Sequence, residues 1–85
     1  MKLTSKLSSL MFHARKEQGY TQSEVAEAIS VSVRWYQKVE SGTKLPGTLT
    51  ALRILIFLGI DAKELREEVG LVVPVRSTRR SYLYK

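Results

Sequence analysis

The sequence predicts an all-α domain, a compact bundle of about five short helices containing a helix-turn-helix, and three observations carry that expectation. Apolar residues recur at three- and four-residue spacing along most of the chain. Ser, Thr and Asp stand where those periodic segments open, and Gly stands where they close. The connections between segments are short, roughly 2–5 residues, which suits helices packed as near neighbours. A chain of 85 residues holds one small core. Its expected division is a folded domain over residues 1–70 and an extended or disordered basic tail over residues 71–85.

The first helix is expected from about residue 5 to residue 18, with Leu7, Leu10, Met11 and Ala14 on one face and Gly19 as its stop. Thr21-Gln22-Ser23-Glu24 has the pattern of a capping box, and Val25, Ala26, Ala28 and Ile29 give the second helix its apolar face. A third helix opens after Ser32, a residue suited to an N-cap, and runs to about Ser41 before Gly42. A loop containing Pro46 follows. The fourth helix spans residues 48–58 and is closed by Gly59, with Leu52, Ile54, Leu55 and Leu58 assigned to the core. Asp61-Ala62-Lys63-Glu64 repeats the capping-box logic for a fifth helix ending before Gly70. Val72-Val73-Pro74-Val75 is β-prone, but Pro74 restricts it to an edge strand or an extended arm.

Composition narrows the function. With 14 Lys and Arg against 8 Asp and Glu the net charge is +6, which suits a polyanionic partner such as nucleic acid. Arg76, Arg79, Arg80 and Lys85 in the tail supply +4 of that +6, so the body must bind by placing a few groups well. There is no cysteine, which excludes disulfide staples, thiol catalysis and cysteine-based zinc sites. His13 is the sole histidine and sits beside Phe12, where a surface or partly packed role outweighs that of a general base. Glu64, Glu67 and Glu68 read as a solvated face with Lys63 and Arg66 interspersed. No enzyme, metal, cofactor or ligand pocket is expected. The greasiest run, residues 54–60, is far shorter than the roughly 20 residues that span a bilayer, so a soluble cytoplasmic protein without membrane association is expected.

Only Ser30-Val31-Ser32 separates the second and third helices, too short a link for antiparallel packing. The two should meet at a wide angle, as in a helix-turn-helix. At about 100° per residue, Val33, Arg34, Gln37, Lys38 and Ser41 fall on one side of the third helix, Tyr36, Val39 and Glu40 on the other, and Trp35 near the boundary. Alone, the polar side would be an ordinary solvated face. Held out by a tight turn, it can enter a major groove.

Residues 15–46 resemble the Cro/repressor-type, or XRE-type, helix-turn-helix family. The matching residues are Arg15 and Gly19, then Tyr20-Thr21-Gln22-Ser23-Glu24-Val25-Ala26, Val31-Ser32, and Tyr36-Gln37-Lys38-Val39-Glu40-Ser41-Gly42, with Lys44 and Pro46. Leu52, Ile54 and Leu58-Gly59-Ile60 continue the pattern. The resemblance implies a regulator that binds double-stranded DNA, a repressor by the family habit, in which Gln22 touches the DNA backbone and steadies the reading side chains. It implies base-edge roles for Val33, Arg34 and Lys38, phosphate-facing roles for Trp35, Thr43 and Lys44, and an internal salt bridge between Arg15 and Glu40. Arg34 can fork onto guanine and Val33 can meet a thymine methyl. Lys38 and Gln37 suit either a base or a phosphate, and Trp35 either the scaffold rim or the DNA backbone. Three residues depart from the pattern: Ser30 where Gly is usual, Trp35 where a small residue is usual, and Gly47 where Ser is common, which leaves Thr48 to start the fourth helix. Leu49 and Ile56, with Arg53 between them, occupy positions that relatives make polar. Two exposed aliphatics invite cover, either from the chain's own Leu71-Val72-Val73 or from a second subunit, and a homodimer on paired half-sites is the favoured cover. The alternative is an antitoxin or anti-regulator that binds a protein partner through this face and the tail.

Overall fold

The computed structural model describes residues 2–71. Four α-helices follow one another: α1 (Leu3–Gln18), α2 (Gln22–Ala28), α3 (Val33–Glu40) and α4 (Thr48–Leu58), and a single 3₁₀ turn (Ala62–Leu65) closes the series. No strand occurs among the described residues. The tail expected over residues 71–85 lies outside them except for Leu71.

α1 begins at Leu3, two residues before the expected start, and its apolar stripe places Leu7 and Met11 in the core. α2 opens on the capping box: Glu24 N–H donates to Thr21 Oγ1 at 3.0 Å, and Thr21 N–H donates to Glu24 Oε1 at 2.8 Å. Ser32 caps α3 by accepting from Trp35 N–H at 3.1 Å. Val25, Ala26 and Ile29 of the α2 segment, Tyr36 and Val39 of α3, Ile54 and Leu58 of α4, and Leu65 complete the buried core. Gln18 Nε2 donates to the carbonyl of Leu58 at 2.7 Å, so the C-terminal ends of α1 and α4 are tied directly.

Several expectations are corrected. Ala28 is exposed, because the buried arc of α2 centres on Val25, Ala26 and Ile29, and Ala28 falls outside it. Leu52 is 49% exposed for the same reason: the buried side of α4 is defined by Ile54 and Leu58, and Leu52 lies well round the helix from both. Thr48 does not cap α4. Gly47 holds the extended N-cap conformation, and no side chain caps that end. The fifth helix is a 3₁₀ turn, because Asp61 Oδ1 accepts from Lys63 N–H at 2.9 Å, two residues on, while Glu64 N–H bonds to Asp61 O at 3.0 Å. Leu65 is the one buried residue of that segment, and a single anchor offers no stripe to sustain an α-helix. An open apolar groove runs between the N-terminal part of α1, α4 and the segment after the 3₁₀ turn.

Among the described residues, the one non-glycine residue with strained backbone lies at the helix-turn-helix corner. Ser30 N–H bonds to Glu27 O at 3.2 Å and Val31 N–H to Ala26 O at 2.9 Å, a Schellman pair that places Ser30 in the left-handed region at φ +64°. The corresponding positions after α1, α3 and α4 are filled by Gly19, Gly42 and Gly59. A left-handed conformation costs a residue with a Cβ about 1–2 kcal/mol. Part of that is offset because glycine loses more backbone entropy on folding. The variant Ser30→Gly should therefore gain about 0.5–1 kcal/mol, seen as a rise in melting temperature of roughly 2–8 °C by circular dichroism. A melting temperature that is unchanged or lower would show that the corner carries no strain.

Candidate nucleic-acid interface

The interface is built on a polar network inside the bundle. Arg15 of α1 makes a bidentate pair with Glu40 of α3: Nε donates to Oε2 at 2.8 Å and Nη2 to Oε1 at 2.9 Å. Its Nη1 donates to the carbonyl of Tyr20 at 3.0 Å, and its guanidinium carbon lies 5.7 Å from the centre of the Phe12 ring. Both partners are buried. Burial pulls the Glu40 carboxyl upward, but the hydrogen bonds from Arg15 and Gln22 outweigh it and hold the group below its ordinary value. The bond to Glu40 likewise raises Arg15. Tyr36 lies against this pair with its hydroxyl buried and unbonded, and burial first, then the Glu40 carboxylate, pushes the phenol upward.

The network runs outward to the surface. Gln22, the first residue of α2, donates from Nε2 to Glu40 Oε1 at 3.0 Å, and its Oε1 accepts from Gln37 Nε2 at 3.1 Å. Gln37 is exposed on α3. A side chain at the surface is thus held through Gln22 by an ion pair in the core.

Around Gln37 the outer face of α3 presents Arg34, Lys38 and Ser41, all exposed. The loop that follows folds back on the helix end: Thr43 N–H at 2.9 Å, Lys44 N–H at 3.2 Å and Ser41 Oγ at 2.9 Å all donate to the Lys38 carbonyl. The hydroxyls of Ser41 and Thr43 lie 2.8 Å apart. Thr43 and Lys44 are therefore fixed beside the C-terminal end of the exposed face. Val33 and Trp35 are half-buried and pack against the core, so only part of each side chain remains available at the surface. On α4, Leu49 is 61% exposed and Ile56 79%, with Arg53 exposed between them.

Three features were not foreseen in the sequence. Gln22 bonds inward to Glu40, Ser41 clips the loop to α3, and Gln18 ties α1 to α4. The Ser41-x-Thr43 spacing just past a helix end was a usable sign of the second; nothing local in the sequence marks the other two.

A basic, polar helix held out by a short turn on a three-helix scaffold defines a class of DNA-binding proteins, and comparison with known proteins agrees. The chain belongs to the XRE-type helix-turn-helix family of DNA-binding transcriptional regulators: the family described as Helix-turn-helix matches residues 13–65. Over 61 residues it is 36% identical to the "ImmF control region 10 kDa protein" of Bacillus phage phi105, covering 72% of this chain and 68% of that protein. Over 47 residues it is 38% identical to the "Uncharacterized HTH-type transcriptional regulator YqaF" of Bacillus subtilis (strain 168), covering 55% of this chain and 62% of that one. No solved structure matches the chain at comparable significance.

The ion pair makes stability sensitive to acid. Because folding lowers the Glu40 carboxyl, its contribution is fully present above the unfolded value, about 4.3, and is lost as pH falls through the lower folded value. The wild type's resistance to urea should weaken steadily below about pH 4.3, and Glu40→Gln should show a shallower acid limb. Glu40→Leu, which strands the guanidinium, should lose about 3–5 kcal/mol, whereas the double change Arg15→Met with Glu40→Leu should recover most of it. Equal losses in the single and double variants would mean that the pair is not a coupled unit.

Proposed function

We propose that this protein is a sequence-specific repressor that places α3 in the major groove of duplex DNA, binding as a homodimer in the cytoplasm and acting without catalysis. The observation that carries this reading is the outer face of α3, where Arg34, Gln37 and Lys38 are exposed together and the Lys38 carbonyl draws Thr43 and Lys44 to the same end. Residues of this kind divide by chemistry into those that read bases and those that grip the backbone.

Arg34 forks onto the O6 and N7 of a guanine. Gln37 has one Nε2 hydrogen engaged by Gln22, which leaves its second N–H and its Oε1 free, the pair that matches adenine N7 and N6. Lys38 and Lys44 neutralise phosphates, with Thr43 and the part of Trp35 left at the surface beside them. Gln22 grips the backbone with its remaining N–H while holding Gln37. The exposed surface of Val33 meets a thymine methyl. Leu49, Arg53 and Ile56 form the contact between two copies, since two half-sites one helical turn apart require a twofold pair of readers. A different protein on that strip, as in an antitoxin, is the competing outcome; it would leave the chain monomeric on DNA.

Selection of bound duplexes from a random pool should return a preferred sequence with two related halves. Against that sequence, Arg34→Ala should lose about 1–3 kcal/mol and tolerate any base at one position of each half. Lys44→Ala should weaken all sequences about equally and lower the salt slope by about 1. Recovery of no preferred sequence, or a salt-independent affinity, would overturn the reading.

A further inference from the structure

Gln22 joins a carboxylate in the core to an amide on the surface, and the chemistry of those three groups is directional. An ionised carboxylate only accepts hydrogen bonds, whereas an amide accepts at its oxygen and donates at its nitrogen. Against the pull of burial, the bonds from Arg15 and Gln22 hold the Glu40 carboxyl below its ordinary value. At neutral pH its Oε1 can therefore take only a donor. That requirement sets Gln22: its Nε2 points inward to Glu40 Oε1 at 3.0 Å, and its Oε1 is left for α3. Turning the amide over would oppose two acceptor oxygens in a partly buried place and forfeit a charge-assisted bond. Gln37 inherits the constraint. Beside the Gln22 oxygen it must place a donor, which Nε2 supplies at 3.1 Å, and its own Oε1 stays free of Gln22.

The consequence appears at a base edge. With its oxygen and one N–H free, Gln37 matches adenine, which offers the acceptor N7 and the donor N6. Guanine offers N7 and O6, both acceptors, so the Gln37 oxygen would meet O6 with no proton between them. A Gln37 amide of the opposite polarity would give its oxygen to Gln22 and turn both N–H groups outward. That pattern suits the two acceptors of guanine. Which purine Gln37 prefers is thus decided by which end of its amide Gln22 holds, and Glu40 decides which end of Gln22 faces outward.

We propose that Glu40, a buried residue that touches no base, determines DNA specificity: through Gln22 it sets the polarity of the Gln37 amide and so selects adenine over guanine at the base Gln37 meets. Glu40 is a positioning residue in this role, and its pairing with Arg15 is what keeps its oxygens in place. The proposal rests on α3 lying in the major groove with Gln37 against a base edge.

The test is a ratio of affinities of the full chain for duplexes that differ in one base pair of the selected sequence. An unfolded fraction of protein lowers both affinities equally and leaves their ratio unchanged. The Gln37→Ala variant locates the position, as the one where the wild type prefers adenine and this variant does not. There the wild type should favour adenine over guanine by roughly tenfold or more. Glu40→Gln gives the core group a donor as well as an acceptor, and it should bring that ratio to within about threefold of unity. Gln22→Leu, which removes the relay and keeps both bonds between Arg15 and Glu40, should do the same. In the Gln37→Ala background, Glu40→Gln should change the ratio no further. Uniform weakening by Glu40→Gln with the adenine preference retained would overturn the proposal, while the guanine preference lost in Arg34→Ala would show that α3 still reads DNA. A further change of ratio in the Gln37→Ala background would route the effect through another residue and overturn it as well. So would a Gln37→Ala variant that loses preference at no position. Only the absence of any preferred sequence for the wild type would overturn the reading by α3 together with the proposal.

Discussion

Arg15 and Glu40 leave water together, and that shared desolvation restricts where three helices can sit. A guanidinium and a carboxylate buried in a small core are tolerable only with fork-to-fork geometry and with their remaining groups bonded. The Tyr20 carbonyl and the Gln22 amide meet that demand, which draws the α1–α2 corner and the start of α2 toward α3. An apolar pair of similar volume would be comparably stabilising, but it would not tie α3 to α1 through directional bonds that fix the rotation of α3 about its own axis. Rotation of α3 is also what determines which side chains face outward, so the choice of a polar pair over an apolar one bears directly on recognition.

The same network carries the constraint from the core to the surface. Gln37 is exposed, and an exposed glutamine would ordinarily sample many rotamers at an entropic cost to any contact it makes. Its bond to Gln22, and that of Gln22 to Glu40, reduce that freedom before any ligand arrives. The loop end of α3 is restrained independently by the bonds converging on the Lys38 carbonyl. Two ends of one recognition surface are thus preorganised by different means, one by charge in the core and one by backbone and hydroxyl groups at the surface. The strained corner at Ser30 lies between α2 and α3, outside both arrangements.

Much of this was legible in the sequence where local rules decide the outcome. Thr21 with Glu24, and Ser32, marked their helix starts because a capping side chain bonds within three residues of itself. The spacing of Tyr36, Val39 and Glu40 marked the inner side of α3, since a short helix leaves little choice of buried arc. Ser30 stood out in the sequence only as a departure from the glycine usual at that position of the family, and the structure shows what that departure means, a left-handed backbone. Local rules failed where burial depends on partners remote in sequence. Leu52 and Ala28 have core-like chemistry and helical spacing, yet the neighbours of α4 and α2 sit on other sides. Asp61 offered a capping pattern, but a segment with Leu65 as its only buried anchor had too little to pack against to extend it. The link from Gln22 to Glu40 joins residues 18 apart, and no periodicity reports it.

The central claim is that this network presents α3 as a reader of the major groove. Dimethyl sulfate methylates guanine at N7, an atom on the major-groove edge, so footprinting of the selected duplex with this reagent examines the claim at the contacted atom. The account predicts protection of guanines in two clusters about one helical turn apart, with protection in both clusters reduced by Arg34→Ala. Tight binding with every guanine N7 still reactive would place the protein elsewhere on the duplex and contradict the account.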